Sequence, residues 1–281
     1  MLLSVIETIA LPDGYAAAAR WWRPSDPRGA VLYFHGIQSH GGWYEQSAGL
    51  LAAQGFSVLM PDRRGSGFNR VQRGHADSAP QLLADAKATL QTLWRETGGA
   101  SVHVVGVSWG GKLGVALADA AGDKVRSLSL VAPGLFPKVD LTRTDKFRVA
   151  MAMLAERERM FDIPLNAPRL FTANPERIAF LDGDRLKLTQ VSASFLLASR
   201  RLDRVVRQFS KSSWRGPIHL LLAGRDRIID NEPTRRWFRS LPSPDRRLTE
   251  YPDAEHTIEF ESDPAAFFHD LTAWLAEECR M

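Results

Sequence analysis

Short apolar runs alternate with longer stretches of helical periodicity along most of the 281-residue chain. Two opening runs, Ser4 to Ala10 and Tyr15 to Trp22, are joined through Pro12-Asp13-Gly14 and predict an antiparallel pair. Six further runs predict strands at Ala30 to Phe34, Phe56 to Met60, Val102 to Val107, Val125 to Val131, Ile218 to Ala223 and Arg247 to Tyr251. Most of these are apolar on both faces, as strands covered by helices must be. The pattern predicts an α/β fold with a mostly parallel central sheet and helices on both faces.

Helices fit the gaps between these strands, and residues that favour helix ends mark their limits. The predicted helices Tyr44 to Gln54 and Gln81 to Thr97 each stop before a glycine. Another, Lys112 to Ala121, comes after the strand Val102 to Val107, and the last helix opens at Asp263-Pro264. Each gap is long enough for a right-handed crossover between parallel strands.

The gap between Val131 and Ile218 is too long for one crossover. About 80 residues lie there, whereas most such connections are a few residues plus one helix. We expect residues 136–213 to form a helical cap, inserted after the sixth strand, over the carboxyl edge of the sheet. Residues 1–135 and 214–281 then form the α/β core.

Three helices are expected in this insertion. Thr144 to Arg159 carries apolar residues at helical spacing, Asn174-Pro175-Glu176 is a helix start, and Phe195 to Phe209 repeats the apolar pattern. The apolar residues of the first helix at this spacing are Phe147, Met151 and Leu154, and we expect Phe147, Met151, Met153 and Phe161 to pack against the sheet. Lining of an acyl channel by Phe147, Met151, Met153 and Phe161 is the alternative.

The segment from Val102 to Lys112 is an apolar strand that runs into Gly-x-Ser-x-Gly and then a helix. Gly106 and Gly110 permit the strained strand-to-helix turn on which a nucleophilic serine is held. Ser108 is therefore the candidate nucleophile. The alternative is a serine that only caps the following helix.

A serine hydroxyl needs a histidine to accept its proton, and the histidine needs a carboxylate to fix its tautomer. Asp226 lies just past one predicted strand and His256 just past the next, so both emerge at the same sheet edge as Ser108. Asp230 is a rival acid. Five other histidines lie in predicted strands, in the last helix or in loops that do not follow the last strand: His40, His75, His103, His219 and His269.

The tetrahedral intermediate of acyl transfer needs hydrogen-bond donors for its oxyanion. The expected donors are the backbone N–H groups of Trp109, which follows the serine, and of Ile37, which follows the strand ending in His35-Gly36. The Ile37 side chain is expected to shape the acyl pocket.

With these motifs the sequence resembles the α/β-hydrolase superfamily, and most closely its monoacylglycerol lipase, lysophospholipase and serine-aminopeptidase-like branch. The run His35-Gly36-Ile37-Gln38-Ser39-His40-Gly41-Gly42-Trp43-Tyr44 is similar to that branch's HGxxxHxxxY stretch, and Pro61-Asp62-Arg63-Arg64-Gly65-Ser66-Gly67 is similar to its D-x-R-G-x-G turn. The resemblance implies that Asp62 and Arg64 stabilise loops beneath the site and that His40 supports the oxyanion loop.

The expected function is that of a serine esterase that cleaves a medium or long acyl ester, such as a monoacylglycerol or a lysophospholipid, through an acyl-enzyme on Ser108. An acyltransferase, a carbon–carbon bond hydrolase, an aminopeptidase or a perhydrolase uses the same residues, and a non-catalytic ligand-binding protein of this fold is the alternative from another class. No metal-ligand spacing or complete phosphate or dinucleotide motif is present, so no cofactor is expected.

Composition restricts the partners. The net charge of +4 is dispersed, which argues against nucleic acid, and the single cysteine, Cys279, with no signal peptide or long apolar run, favours a cytoplasmic protein. Within residues 136–213, lysine and arginine outnumber aspartate and glutamate by 15 to 9. This excess favours an acidic substrate or transient contact of the cap with an anionic membrane surface. A solvated arginine-rich helix face explains it more simply.

Overall fold

Eight strands form one mixed sheet in the computed structural model, which describes residues 3–279. The ten strands of the described chain are β1 (Val5–Ala10), β2 (Ala16–Trp22), β3 (Gly29–Phe34), β4 (Phe56–Pro61), β5 (Val102–Val107), β6 (Val125–Val131), β7 (Met160–Asp162), β8 (Gln190–Ser192), β9 (Ile218–Ala223) and β10 (Arg246–Tyr251). The main sheet has the order β1-β2-β4-β3-β5-β6-β9-β10. β2 is antiparallel to both of its neighbours, and the strands from β4 to β10 in this order are parallel. The predicted antiparallel opening and parallel sheet are thus confirmed.

Helices cover both faces of this sheet. They are α1 (Glu45–Ala53), α2 (Ala79–Glu96), α3 (Trp109–Ala120), α4 (Arg143–Ala155), α5 (Pro175–Gly183), α6 (Ala193–Gln208), α7 (Asn231–Arg239) and α8 (Ala265–Glu278). The neighbours His103 and Val104 of β5 point to opposite faces. His103 reaches Cys279 at the end of α8, whereas Val104 packs at Gly114 of α3. None of the helices within residues 3–279 combines the length and the apolarity needed to traverse a bilayer.

Residues 136–213, which we call the insert, lie between β6 and β9 and contain α4, α5 and α6 as predicted. The insert also contains an antiparallel pair, β7 with β8, that the sequence analysis missed. Each of these strands is only three residues long. Runs of that length carry no readable alternation of polar and apolar residues.

The expected packing against the sheet is wrong for Phe147 and Met151 of α4. Phe147, Met151 and Leu154 are 67%, 50% and 83% exposed, although their spacing marks one helix face. The opposite side of α4, with Val149 and Met153, packs against the rest of the insert. Helical spacing shows which residues share a face, but only the surrounding structure decides which face is covered.

Candidate active site

Ser108 occupies the turn between β5 and α3 in a strained backbone conformation. Its φ of 50° and ψ of −121° lie outside the regions that residues with a side chain favour. The turn is close to a neighbouring strand, because a Cβ added at Gly110 would lie 2.4 Å from the carbonyl oxygen of Phe34. The Ser108 side chain makes no capping hydrogen bond to α3, so the geometry does not match the capping alternative. Its hydroxyl is instead directed at a histidine.

His256 links Ser108 to Asp226. Its Nε2 lies 2.9 Å from Ser108 Oγ, and its Nδ1 lies 2.8 Å from Asp226 Oδ2. The carboxylate accepts a hydrogen bond from Nδ1–H, which leaves Nε2 as the acceptor for the serine hydroxyl. Asp226 Oδ1 accepts hydrogen bonds from the backbone N–H groups of Ile228 and Ile229, which hold the carboxylate in place. The three side chains therefore form one continuous chain of hydrogen bonds.

The rival acid Asp230 lies outside this chain. Its side chain accepts the backbone N–H of Glu232 and caps the start of α7. His103 and His219 lie in strands, where they bond Ser127 and Thr249, and His75 contacts Ser192. Of the two candidate acids, the structure brings Asp226 alone to His256.

The two expected oxyanion donors lie beside Ser108. Ile37 and Trp109 line the same cavity as the serine, and a Cβ added at Gly36 would be 3.7 Å from Ser108 Oγ. Within residues 3–279, neither of the two backbone N–H groups donates to a protein acceptor. Trp109 is the first residue of α3, where the backbone N–H groups have no partner within the helix. Both donors are thus available to a ligand oxygen.

Arg63 holds the oxyanion loop from below. Its guanidinium donates to the carbonyl oxygens of Gly36 at 3.1 Å and Ile37 at 2.8 Å. It also lies over the rings of Trp109 and Phe195, with its carbon 4.7 Å and 5.1 Å from their centroids. Burial lowers the pKa of Arg63 to about 9, so the side chain stays protonated at neutral pH. No role was predicted for Arg63 from the sequence.

His35 is a neutral part of the same support. Burial, with the nearby charge of Arg63, holds the pKa of His35 well below its usual value. Its Nε2 accepts the backbone N–H of Arg63 at 2.9 Å, so Nδ1 carries the proton and donates to the Gly36 carbonyl at 2.8 Å. The carbonyl of Gly36 is therefore held from two sides.

His40 and Asp184 join the oxyanion loop to the insert. His40 Nε2 lies 3.1 Å from Asp184 Oδ2, which also accepts the indole N–H of Trp43 at 2.7 Å. Burial alone would raise the pKa of Asp184, but hydrogen bonds from His40, Trp43 and the backbone of Leu186 outweigh it and lower the pKa to about 2. His40 thus lies where a support of the loop is expected, with a partner that the sequence analysis missed.

The two residues of the D-x-R-G-x-G turn are bound to loops, in agreement with the resemblance. Asp62 accepts the backbone N–H groups of Gly41 and Phe68. Arg64 pairs with Asp85 through two nitrogens, at 2.6 and 2.8 Å. Neither side chain reaches the serine's hydrogen-bond chain.

A cavity of about 380 Å³ opens in front of Ser108, between the sheet edge and the insert. Its apolar wall includes residues of α4 and α6 and of the loops after β6, β7 and β9: Pro137, Val139, Leu141, Val149, Ala150, Met153, Ile163, Leu165, Leu196, Leu197, Ile228 and Ile229. Lys112, one helical turn after Ser108, lines one side together with charged residues of the insert. Within residues 3–279, no group of three or more His, Cys, Asp or Glu side chains is arranged to hold a metal ion.

Comparison with known proteins identifies the family. The family model Hydrolase_4, described as serine aminopeptidase S33, matches residues 25–263. The chain belongs to this family of hydrolases.

As an S33-family hydrolase, it has relatives of similar length. The phospholipase YtpA of Bacillus subtilis is 21% identical over 244 residues, which are 84% of this chain and 91% of that protein. The monoacylglycerol lipase of Mycolicibacterium smegmatis is 22% identical over 262 residues, 91% of this chain and 90% of that protein.

Solved structures share the fold of the S33-family hydrolase. A soluble variant of monoglyceride lipase from Saccharomyces cerevisiae, in complex with a substrate analog, superposes with a TM-score of 0.89 at 18% identity, over 99% of this chain and 96% of that one. These comparisons confirm three predictions: the α/β-hydrolase fold, the resemblance to its monoacylglycerol lipase-like branch, and a hydrolase.

Three residues of this S33-family hydrolase site were missed or given no role in the sequence analysis. Arg63 stands inside the stretch similar to the D-x-R-G-x-G turn, and a charged side chain just after the apolar strand that ends at Met60 was the available signal. Lys112 stands only four residues after Ser108, at the start of the predicted helix, and a cation so near the candidate nucleophile was a second signal. Asp184 lies in the insert, and no local pattern points from it to His40.

Proposed function

We propose that this hydrolase cleaves a carboxylic ester with a medium or long acyl group through an acyl-enzyme on Ser108. The observation that carries the proposal is the hydrogen-bond chain from Asp226 through His256 to Ser108 at the mouth of a largely apolar cavity. A monoacylglycerol or a lysophospholipid is the substrate type that fits this cavity and the names of the relatives.

In this mechanism His256 takes the proton of Ser108 as Oγ attacks the ester carbonyl. The backbone N–H groups of Ile37 and Trp109 bind the oxyanion of the tetrahedral intermediate. His256 then gives its proton to the departing alcohol, and the serine ester remains. Water, activated by the same histidine, cleaves that ester and restores the hydroxyl. Asp226 holds the imidazole in the reacting tautomer and stabilises its protonated form.

The cavity supports an acyl substrate of moderate size. Its volume of about 380 Å³ lies at the lower end of the range of small-molecule sites, roughly 300 to 1,000 Å³. Aliphatic side chains dominate its wall, so the binding of a hydrocarbon chain removes apolar surface from water on both partners.

The family description raises aminopeptidase activity as a second candidate. An aminopeptidase must bind the ammonium group of a peptide N-terminus, for which a carboxylate is the natural partner. The two carboxylates that line the cavity are already paired: Asp203 with Lys112 at 2.5 Å and Asp140 with Lys146 at 2.6 Å. The three cations beside them, Lys112, Lys146 and Arg200, exceed these two carboxylates by one, and this net positive charge favours an ester over a peptide with an ammonium N-terminus.

We further propose that the insert is a cap whose α4 touches a membrane surface. The exposed side chains of Phe147, Met151 and Leu154 lie on one face of α4. Arg143 and Arg148 of the same helix add positive charge that anionic lipid head groups attract. Such contact would place the cavity near lipid substrates.

The test is the hydrolysis of p-nitrophenyl esters of increasing acyl length, with peptide p-nitroanilides as the second substrate class. Wild type and Ser108→Ala are compared, and both are treated with a fluorophosphonate and examined by mass spectrometry. We expect ester turnover and a label on Ser108 in wild type, and neither in the variant. Turnover of the anilides alone would favour the aminopeptidase, and ester turnover retained in Ser108→Ala would overturn the proposal.

A further inference from the structure

One side of the cavity is charged, in contrast to its aliphatic wall. Lys112 is the fourth residue of α3, so it lies in the first turn of the helix that begins directly after Ser108. Both residues line the cavity. A lysine that is only 6% exposed is therefore held one helical turn from the candidate nucleophile.

The insert supplies the other charged groups on this side. Asp203 of α6 pairs with Lys112 Nζ at 2.5 Å. Asp140 pairs with Lys146 at 2.6 Å and lies 3.5 Å from Arg200. Three cations and two carboxylates thus line the cavity, so positive charge is in excess.

Hydrogen-bond donors are also in excess there. Ser199 Oγ accepts the indole N–H of Trp109 at 2.9 Å and lies 3.4 Å from Lys112 Nζ. Because this oxygen already accepts, its own O–H remains a donor that can turn toward the cavity. Lys112 has three N–H donors: one donates to Ser199 at 3.4 Å, and the charge of the ammonium group is paired with Asp203.

A purely structural role accounts poorly for this arrangement. A buried ion pair contributes little net stability, because the desolvation of both charges offsets their attraction. Burial lowers the pKa of Lys112, because the ammonium group loses its hydration there, while the Asp203 carboxylate acts in the opposite direction. Well-packed apolar residues would join α3 to α6 at least as well. The charged side instead gives the cavity a means of substrate selection.

From these contacts we infer that the site selects esters that carry a negatively charged group a few bonds from the scissile carbonyl, bound by Lys112, Ser199 and Arg200. The inference rests on the proposed ester hydrolysis and names the substrate class for the same site. A carboxylate on the acyl chain and one on the alcohol supply the same chemistry, and the experiment separates them.

The experiment compares kcat/KM for matched pairs of esters in two arms. The first arm uses p-nitrophenyl half-esters of straight-chain dicarboxylic acids against the same compounds with a terminal carboxamide. The second uses butanoyl esters of ω-hydroxy acids against those of the ω-hydroxy amides. In one arm we expect wild type to prefer the carboxylate by about tenfold, the scale of one charge-assisted hydrogen bond. Equal rates, or a preference for the carboxamide in both arms, overturn the inference.

Two variants assign the preference to the charged side. Lys112→Met removes the buried cation at similar volume, and Arg200→Gln removes a cation whose side chain is 57% exposed, so it is expected to fold even if the first variant does not. Each should reduce the ratio of the two kcat/KM values toward one. The matched control Arg204→Gln removes an exposed cation of the same helix that does not line the cavity, and should keep the wild-type ratio.

A preference that survives in both variants also overturns the inference. Failure of the proposed function looks different: neither member of any pair is cleaved, and the fluorophosphonate leaves Ser108 unlabelled. Cleavage of the neutral esters without preference leaves ester hydrolysis intact and rejects the charged selection alone.

Discussion

Arg63 Nη2 donates a hydrogen bond of 2.8 Å to the carbonyl oxygen of Ile37, whose own backbone N–H is a proposed oxyanion donor. The same guanidinium binds the preceding carbonyl of Gly36 and rests on Trp109, which carries the second donor. One buried side chain therefore touches both of the segments that must present their N–H groups at a common point. This makes Arg63 a positioning residue for the oxyanion site.

We expect Arg63→Met to lower kcat for a neutral p-nitrophenyl ester by about 10- to 100-fold with a smaller change in KM. The loss of one oxyanion donor typically costs on the order of 10²- to 10³-fold, and here the donor is displaced rather than removed. Arg63→Lys keeps the charge but cannot bind both carbonyls in the same way, so it should recover only part of the loss. Steady-state kinetics with thermal unfolding as a folding check measures this. Arg70→Met, at an exposed position, is the control, and an unchanged kcat in folded Arg63→Met contradicts the role.

Asp226 and Asp230 offer a matched pair of substitutions. Asp226→Asn should reduce kcat on the order of 10⁴-fold, by analogy with other triad acids, because an amide stabilises the wrong histidine tautomer. Asp230→Asn should leave kcat within a few-fold of wild type, since asparagine caps a helix as well as aspartate does. Ester turnover by both variants measures the difference. A larger loss in Asp230→Asn would move the acid to that residue.

Glu259 predicts a pH-dependent stability. Burial raises its pKa to about 7, although hydrogen bonds from the backbone and hydroxyl of Ser47 act in the opposite direction. The unfolded chain releases this proton near pH 4.5, whereas the folded chain keeps it up to about pH 7. The contribution of Glu259 to the free energy of unfolding is therefore unchanged below pH 4.5. As the pH rises from 4.5 to 7, the free energy of unfolding falls by about 3 kcal/mol, because only the unfolded chain releases the proton.

Glu259→Gln should remove this pH dependence of the free energy of unfolding, because glutamine does not titrate. Urea unfolding of wild type and variant at pH 5, 6, 7 and 8 gives the difference in their free energies of unfolding. We expect the variant to gain relative to wild type as the pH rises from 5 to 7, and the difference to level off above 7. The low pKa of Asp184, about 2, acts at a lower pH and does not overlap this window. A difference that stays constant from pH 5 to 8 refutes the prediction.

The exposed face of α4 predicts binding to anionic vesicles. The triple substitution of Phe147, Met151 and Leu154 by serine should weaken co-sedimentation with phosphatidylglycerol vesicles by about tenfold or more, because three apolar side chains no longer enter the interface. Turnover of a water-soluble ester should stay near wild type, since none of the three lines the cavity. The control is Val5→Ser with Ile6→Ser, which removes exposed apolar residues of β1. Equal binding of all three proteins would exclude α4 as the contact.

Much of the fold and the main residues of the candidate site could be predicted from the sequence. Ser108, Asp226 and His256 were each found just after a predicted strand, and the structure joins them by hydrogen bonds of 2.8 and 2.9 Å. This works because the carboxyl ends of neighbouring parallel strands meet at one edge of a sheet, so order along the chain translates into proximity. Asp226 and Asp230 could not be separated in this way, because four residues decide between a contact with His256 and a helix cap.

What the sequence by itself determined is local: strand and helix periodicity, the Gly-x-Ser-x-Gly turn, and the order of the candidate acid and base. The tertiary structure alone decided which face of α4 is covered, that Arg63 binds the loop of Ile37, that Asp184 binds His40, and that Lys112 meets Asp203. Each of these contacts joins elements far apart in the chain or depends on what packs against a surface. Periodicity records the faces of one element at a time, and the choice of partner for each face is made only when the whole chain packs together.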